Sequence, residues 1–113
     1  MRRGEVWLVR LDPTVGAEIG KTRPAVIVSD DDIGILQLKV IVPITGWNDE
    51  FSGFEWMVRL EPSTENGLRK PSTADTFQVS SVSQQRFIRK LGKLSDTAMQ
   101  EITTALAIVL SIN

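Results

Sequence analysis

The sequence predicts an α+β fold that is mainly β, a small curled antiparallel sheet or barrel followed by a C-terminal helix. Short runs of strand-forming residues, separated by turn residues, fill most of the chain. Near the C-terminus the apolar residues change to helical spacing. Strands followed by a helix, without alternation, are typical of the α+β class. At 113 residues, the chain is expected to form one domain over residues 1–113.

Strand-forming segments are separated by Pro, Gly and Asp residues that favour turns. Four strands are predicted in the first half of the chain, over residues 5–11, 24–29, 36–42 and 54–60. The second of these segments is apolar throughout, so we expect it to be buried on both faces. Asn66-Gly67 is a strong hairpin signal. The Thr-, Val- and Ser-rich segment 72–82 predicts one or two further strands.

Two helices are predicted after the strands. The segment 84–91 suggests a short helix that ends at Gly92. Ser95 is a good N-cap and Asp96 favours a first helical turn, so the main helix is expected over residues 95–110. Its apolar face is predicted to consist of Met99, Ile102, Leu106 and Val109.

The composition excludes several kinds of chemistry. The chain has no Cys and no His, which excludes disulfides, thiol nucleophiles, imidazole metal sites and His-dependent catalytic triads. The net charge is −1, but six basic residues and one acidic residue lie within residues 69–93. This segregation fits either a polyanion-binding face or an ordinary solvated surface. No apolar run is long enough for a signal peptide or a membrane span, so we expect a cytoplasmic protein with no membrane association.

The long loop 12–22 and the residues that follow two strands are candidates for function. Arg23 ends the loop, and its guanidinium fits a phosphate; it could equally pair with Glu18 or Asp12. Thr45 follows an apolar strand, where it could donate to a ligand or cap a turn.

Two further side chains could contact a nucleic acid. Trp47 could stack on a base or cover an exposed edge of the core. Gln78 could hydrogen-bond to a base edge or hold a loop.

Four segments in order resemble the MazF/PemK/Kid family, the toxins of bacterial toxin–antitoxin pairs. They are Gly4-Glu-Val-Trp-Leu-Val, Leu11-Asp-Pro-Thr-Val-Gly-Ala-Glu, Thr22-Arg-Pro-Ala-Val-Ile-Val-Ser and Val40-Ile-Val-Pro-Ile-Thr. The resemblance continues through Asn66-Gly67-Leu68, Phe77-Gln78-Val79, Arg86 and Leu91-Gly-Lys-Leu-Ser. It therefore covers nearly the whole chain.

The resemblance implies an SH3-like barrel with a C-terminal helix, a homodimer, and an endoribonuclease. Such an enzyme cuts single-stranded RNA at a short sequence without a metal or other cofactor, and an acidic antitoxin protein is its second partner. The family's active-site Arg and Thr correspond to Arg23 and Thr45, and the Glu of the first long loop corresponds to Glu18. The RNA-binding residues expected from the same comparison and from the side-chain chemistry are Lys21, Thr22, Trp47, Phe77 and Gln78.

The sequence departs from the family pattern at two positions. Ile19 stands where the family usually has Gln, and Phe77 stands where it often has an acid, with Asp75 two positions earlier. Two other readings stay open from the sequence. One is a non-catalytic toxin of the CcdB type that poisons DNA gyrase, and the other is an SH3-like module that binds peptide or nucleic acid.

Overall fold

A computed structural model describes residues 1–113 and shows seven strands and one α-helix. The strands are β1 (Glu5–Arg10), β2 (Thr22–Ile27), β3 (Leu38–Gly46), β4 (Met57–Leu60), β5 (Ser72–Asp75), β6 (Ser80–Ser83) and β7 (Phe87–Lys93). Short 3-10 turns cover Asp49–Gly53, Thr76–Gln78 and Gln84–Arg86, and helix α1 covers Asp96–Val109. The α+β, mainly β class is confirmed.

All strand pairs are antiparallel, and their order in the sheet is β4-β5-β3-β2-β1-β7, with β6 pairing beside β3. The sheet is not closed, because β4 and β7 do not pair as strands. The loop after β4 nevertheless reaches β7, where the backbone N–H of Lys93 donates to the carbonyl of Glu65 at 2.8 Å. The two ends of the sheet are therefore joined by a loop contact rather than by a strand ladder.

The helix packs on one face of the sheet, as its apolar spacing predicts. The Ser95 hydroxyl accepts a hydrogen bond from the backbone N–H of Ala98 at 3.1 Å, which caps the first turn. Met99, Ile102 and Ala105 are buried against the sheet. The main core lies between helix and sheet and includes Val6, Val26, Val42, Ile44 and Leu60.

The predicted helix over residues 84–91 is wrong. Only Gln84–Arg86 form a 3-10 turn, and Phe87–Lys93 form β7 along β1. The Phe87 ring packs at 5.7 Å from the ring of Trp7. The partner strand supplies the backbone hydrogen bonds that a helix would have supplied locally, and it is about 80 residues away in sequence, so local spacing could not reveal it.

The Asn66-Gly67 signal is correct for topology but not for loop length. β4 and β5 form an antiparallel pair, and the connection between them is long rather than a two-residue turn. Asn66 is buried and organises this loop. Its side-chain carbonyl accepts from the backbone N–H groups of Ser63 and Leu68, and its side-chain amide donates to the backbone carbonyl of Glu61. Gly67 takes a positive φ of 70°.

No helix in the chain combines the length and apolar character needed to cross a membrane.

Candidate functional site

The loop between β1 and β2 is held at its start by one guanidinium. Arg86 Nη1 donates to the carbonyl of Arg10 at 3.1 Å and to that of Asp12 at 2.7 Å. Arg86 follows β6 and lies far from the loop in sequence. The loop is therefore tied to the second half of the chain before it reaches its charged residues.

Gln78 holds the middle of the same loop. Its side-chain carbonyl accepts from the N–H of Ile19 at 2.6 Å, and its amide donates to the carbonyl of Ala17 at 3.3 Å. The amide also lies 3.3 Å from the carboxylate of Asp75. Of the two roles predicted for Gln78, the structure shows the loop-holding one.

Asp75 is buried at the end of β5 and caps the 3-10 turn that carries Gln78. Its carboxylate accepts from the N–H of Phe77 at 3.2 Å and from the Gln78 amide. Burial raises the pKa of Asp75 above its ordinary value, against the lowering effect of these hydrogen bonds. The acid two positions before Phe77 is thus an internal anchor for Gln78, not a group that faces solvent.

Arg23 and Thr45 are brought to neighbouring strands on one face of the sheet. The ladder between β2 and β3 ends with Ala25 opposite Pro43, two residues from Arg23 and two from Thr45. Beyond it β3 pairs with β5, with Thr45 opposite Thr73. Arg23 Nε donates to the carbonyl of Gly20 at 3.1 Å, which orients the guanidinium. Its two terminal nitrogens have no partner within the chain. Neither Glu18 nor Asp12 pairs with it, so the salt-bridge alternative for Arg23 is wrong.

Glu18 lies exposed on the loop. Its Oε1 accepts from the N–H of Val15 at 2.6 Å and closes a local turn, while its other carboxylate oxygen has no partner in the chain. Lys21 and Thr22 are also exposed, at the point where the loop enters β2. The carbonyl of Lys21 accepts from the N–H of Leu11 at 2.8 Å, which closes the base of the loop.

A groove of about 800 Å³ lies between this loop, the 3-10 turn at Thr76–Gln78 and β6. Glu18, Phe77 and Gln78 line it, and Ile41 and Pro43 form its floor. Alternation along β2 and β3 places Arg23 and Thr45 on the same face as Ala25, Ile41 and Pro43, but neither is a lining residue of the groove. Lys21, Thr22 and Trp47 are not among the lining residues.

A continuous row of five aromatic rings connects Trp47 with Phe77. The centroid distances between successive rings are 6.0, 6.2, 4.6 and 6.1 Å. The closest pair stacks with an interplanar angle of 8°. Phe77 is 68% exposed, so its ring is not a core residue. In order, the row is Trp47, Phe51, Phe54, Trp56 and Phe77.

Sequence reasoning identified the two ends of this row but missed Phe51, Phe54 and Trp56. The sequence predicts Phe54 and Trp56 as part of a strand, but in the structure that strand begins only at Met57. The cluster of four aromatic residues between positions 47 and 56 was the signal that could have indicated a shared surface. In the sequence, Asp75 stands out only as an acid two positions before Phe77, and nothing local indicates its contact with Gln78.

Comparison with known proteins gives the family. Residues 2–110 match the model of the PemK-like, MazF-like toxins of type II toxin–antitoxin systems. The chain belongs to this family. It is 30% identical over 118 residues to endoribonuclease MazF9 of Mycobacterium tuberculosis, an alignment that covers 99% of this chain and 98% of that protein.

Solved structures of family members share the fold. The chain superposes on MazF from Deinococcus radiodurans with a TM-score of 0.83 and 20% identity, covering 99% of this chain and 97% of that one. It superposes on a mycobacterial endoribonuclease in complex with its cognate antitoxin with a TM-score of 0.79 and 21% identity, covering 100% and 97%. The family recognised from the four sequence segments is therefore confirmed, and the chain is a toxin of a type II toxin–antitoxin system.

Proposed function

We propose that this toxin is a metal-independent endoribonuclease that cuts single-stranded RNA at a short sequence. Its full-length relative MazF9 is an endoribonuclease. The observation that carries the proposal is that alternation along β2 and β3 turns Arg23 and Thr45 to the face of the sheet that carries a groove lined by Glu18, Phe77 and Gln78. A groove that shares its face of the sheet with a free guanidinium and a free hydroxyl suits a phosphate diester.

The attacking group in this proposal is the 2′-hydroxyl of the ribose. The bond from the 2′-oxygen to phosphorus forms while the bond from phosphorus to the 5′-oxygen breaks, and the 5′-oxygen takes a proton from water. The products are a 2′,3′-cyclic phosphate and a 5′-hydroxyl. Because the substrate supplies its own nucleophile, the protein has to position the phosphate and neutralise the charge that develops on it.

Each of the three catalytic candidates has a polar atom without a partner in the chain, and that atom can act on the substrate. The terminal nitrogens of Arg23 bind the phosphoryl oxygens, since the Nε contact with Gly20 holds the guanidinium in place. The Thr45 hydroxyl donates to one of the same oxygens. The unpartnered carboxylate oxygen of Glu18 accepts the proton of the 2′-hydroxyl.

The bases of the RNA are read by the groove and the aromatic row. Trp47 and Phe77 stack on bases at the two ends of the row. Lys21 and Thr22 contact the backbone where the loop enters β2. Gln78 lines the groove, and its hydrogen bonds hold the loop in place beside the bound RNA.

The proposed cleavage is tested with purified protein and a long RNA in excess EDTA. Discrete fragments with 2′,3′-cyclic phosphate ends support it. Arg23→Ala should abolish cleavage and Thr45→Ala should lower the rate by about 10²–10³, the usual effect of losing a donor to a developing oxyanion. Arg23→Lys should restore activity only in part, because an ammonium cannot make the forked contact. Products with a 5′-phosphate, or full activity of Arg23→Ala, would refute the mechanism.

We also propose a homodimer that binds an acidic antitoxin. Exposed apolar side chains cluster on the loop before β3, at Ile33, Ile35 and Leu36, and at the end of α1, at Leu110 and Ile112. Contact with a second copy would remove these apolar side chains from water. The antitoxin is expected to be a small acidic protein encoded next to the toxin, and its binding should weaken as salt is raised. Light scattering at micromolar concentration tests the dimer, and a monomer there contradicts it.

A further inference from the structure

A second groove on the protein is strongly basic, and none of the residues assigned to cleavage lies in it. Its volume is about 520 Å³, and three of its ten lining residues are hydrophobic. It contains no Asp or Glu. Arg69, Lys70 and Arg89 are exposed along it, and their side chains form no hydrogen bond or ion pair within the chain. We call it the basic groove.

The basic groove adjoins the residues that follow Arg23 and Thr45 in sequence. Pro24 lines it and follows Arg23 on β2. Lys70 Nζ lies 3.2 Å from the position that a Cβ on Gly46 would occupy, and Gly46 follows Thr45 on β3. Side chains alternate along a strand, so the groove opens on the opposite face of the sheet, around the shared end of β2 and β3.

We propose that the basic groove binds the sugar–phosphate backbone of the RNA that flanks the cut. The inference rests on the proposed function, because it extends a strand held at Arg23 and Thr45. An RNA strand that passes from Arg23 and Thr45 around the end of β2 and β3 meets the three unpaired cations of the basic groove. Such cations attract phosphates without regard to base sequence. Four of the ten lining residues are Arg or Lys and none is acidic, which favours a polyanion such as a nucleic-acid backbone over an uncharged amphipathic peptide.

The experiment compares two single-stranded RNAs built around the strongest cut that the wild type makes in long RNA. Both carry a 2′-deoxy nucleotide at the cut, which removes the attacking hydroxyl. One contains only the recognised sequence, and the other is extended by about eight nucleotides on each side. Binding to each is measured by fluorescence anisotropy over a range of salt concentrations in EDTA.

The test variant is Arg69→Gln with Arg89→Gln, and the matched control is Arg2→Gln with Lys93→Gln. Both lower the net charge by two, and the control residues lie outside the basic groove. The test variant should raise the Kd for the long RNA about tenfold and lower the slope of log K against log salt by about 1.4, since each single-strand phosphate contact contributes about 0.7. The short RNA should bind both variants about equally well, and the control should show less than a twofold change with the long RNA.

The outcomes separate this inference from the proposed function. A wild type that cuts no RNA contradicts both. A wild type that cuts RNA, with a test variant that binds long RNA as the wild type does, overturns the basic groove alone. A test variant that binds long RNA normally but loses affinity for an acidic antitoxin peptide assigns the groove to the protein partner and equally overturns the inference.

Discussion

Replacing Gln78 with Ala should free the middle of the loop between β1 and β2, because this side chain holds residues 17–19 to the body of the protein. The change removes its contacts with Ile19 N–H at 2.6 Å, with the Ala17 carbonyl at 3.3 Å and with the Asp75 carboxylate at 3.3 Å. A neutral hydrogen bond contributes about 0.5–1.5 kcal/mol and one to a charged group about 1.5–3 kcal/mol. The two long contacts take the lower ends of these ranges. We therefore expect the free energy of unfolding to fall by about 2–3 kcal/mol at neutral pH.

The loss should depend on pH because of Asp75. The folded-state pKa of Asp75 is raised, so the folded protein binds this proton more tightly than the unfolded chain does. Its contribution to stability is therefore greatest below the unfolded value and declines as pH rises through the folded value. Gln78→Ala removes a hydrogen bond that favours the ionised form, which raises this pKa further. The destabilisation should thus be larger at pH 7.5 than near pH 3.5, where Asp75 is protonated and Gln78 loses only a neutral partner.

Urea unfolding at the two pH values and amide hydrogen exchange measure the effect. The N–H of Ile19 should exchange at least about tenfold faster in Gln78→Ala, since its acceptor is gone. Gln85→Ala is the control, because Gln85 is exposed and its side chain makes no hydrogen bond. If Ile19 N–H keeps its protection and stability is equal at both pH values, Gln78 does not hold the loop.

Three further predictions concern stability. Burial alone would raise the pKa of Glu5, but hydrogen bonds from the indole of Trp7, the backbone N–H of Arg2 and the ammonium of Lys90 outweigh it and lower the pKa to about 2. The stability that Glu5 contributes is present above its unfolded value of about 4.5 and is lost as pH falls toward 2, so Glu5→Gln should flatten the acid branch of a plot of unfolding free energy against pH. Gly67→Ala would place its methyl group on the Leu91 carbonyl, in a residue with a positive φ, so the melting temperature of this variant should fall by roughly 10 °C or more in calorimetry. The control Gly53→Ala has open space around its methyl group and should change the melting temperature little. Ser95→Ala removes the cap of α1 and should cost about 1 kcal/mol in urea unfolding, and no loss would mean that the cap is dispensable.

Local patterns in the sequence predicted the elements whose causes are local. The helix over Asp96–Val109 follows from a capping hydroxyl and from spacings of three and four residues, and both are visible within one segment. The same holds for β2 and β3, whose apolar runs bury themselves on both faces of the sheet. The segments that form β2 and β3 also resemble known toxins, and this resemblance indicated Arg23 and Thr45 because each lies at the end of such a segment.

Tertiary structure alone decided whatever depends on residues distant in sequence. The segment over Phe87–Lys93 is a strand because β1 supplies its hydrogen bonds, although its local pattern also permits a helix. The sheet stays open because its end strands meet through a loop contact, and no single strand encodes that outcome. Gln78 has donors and acceptors for a base or for a loop, and only the approach of residues 17–19 and of Asp75 selects the loop. Side-chain chemistry is fixed by the sequence, whereas the partner that satisfies it is fixed by how the chain folds back on itself.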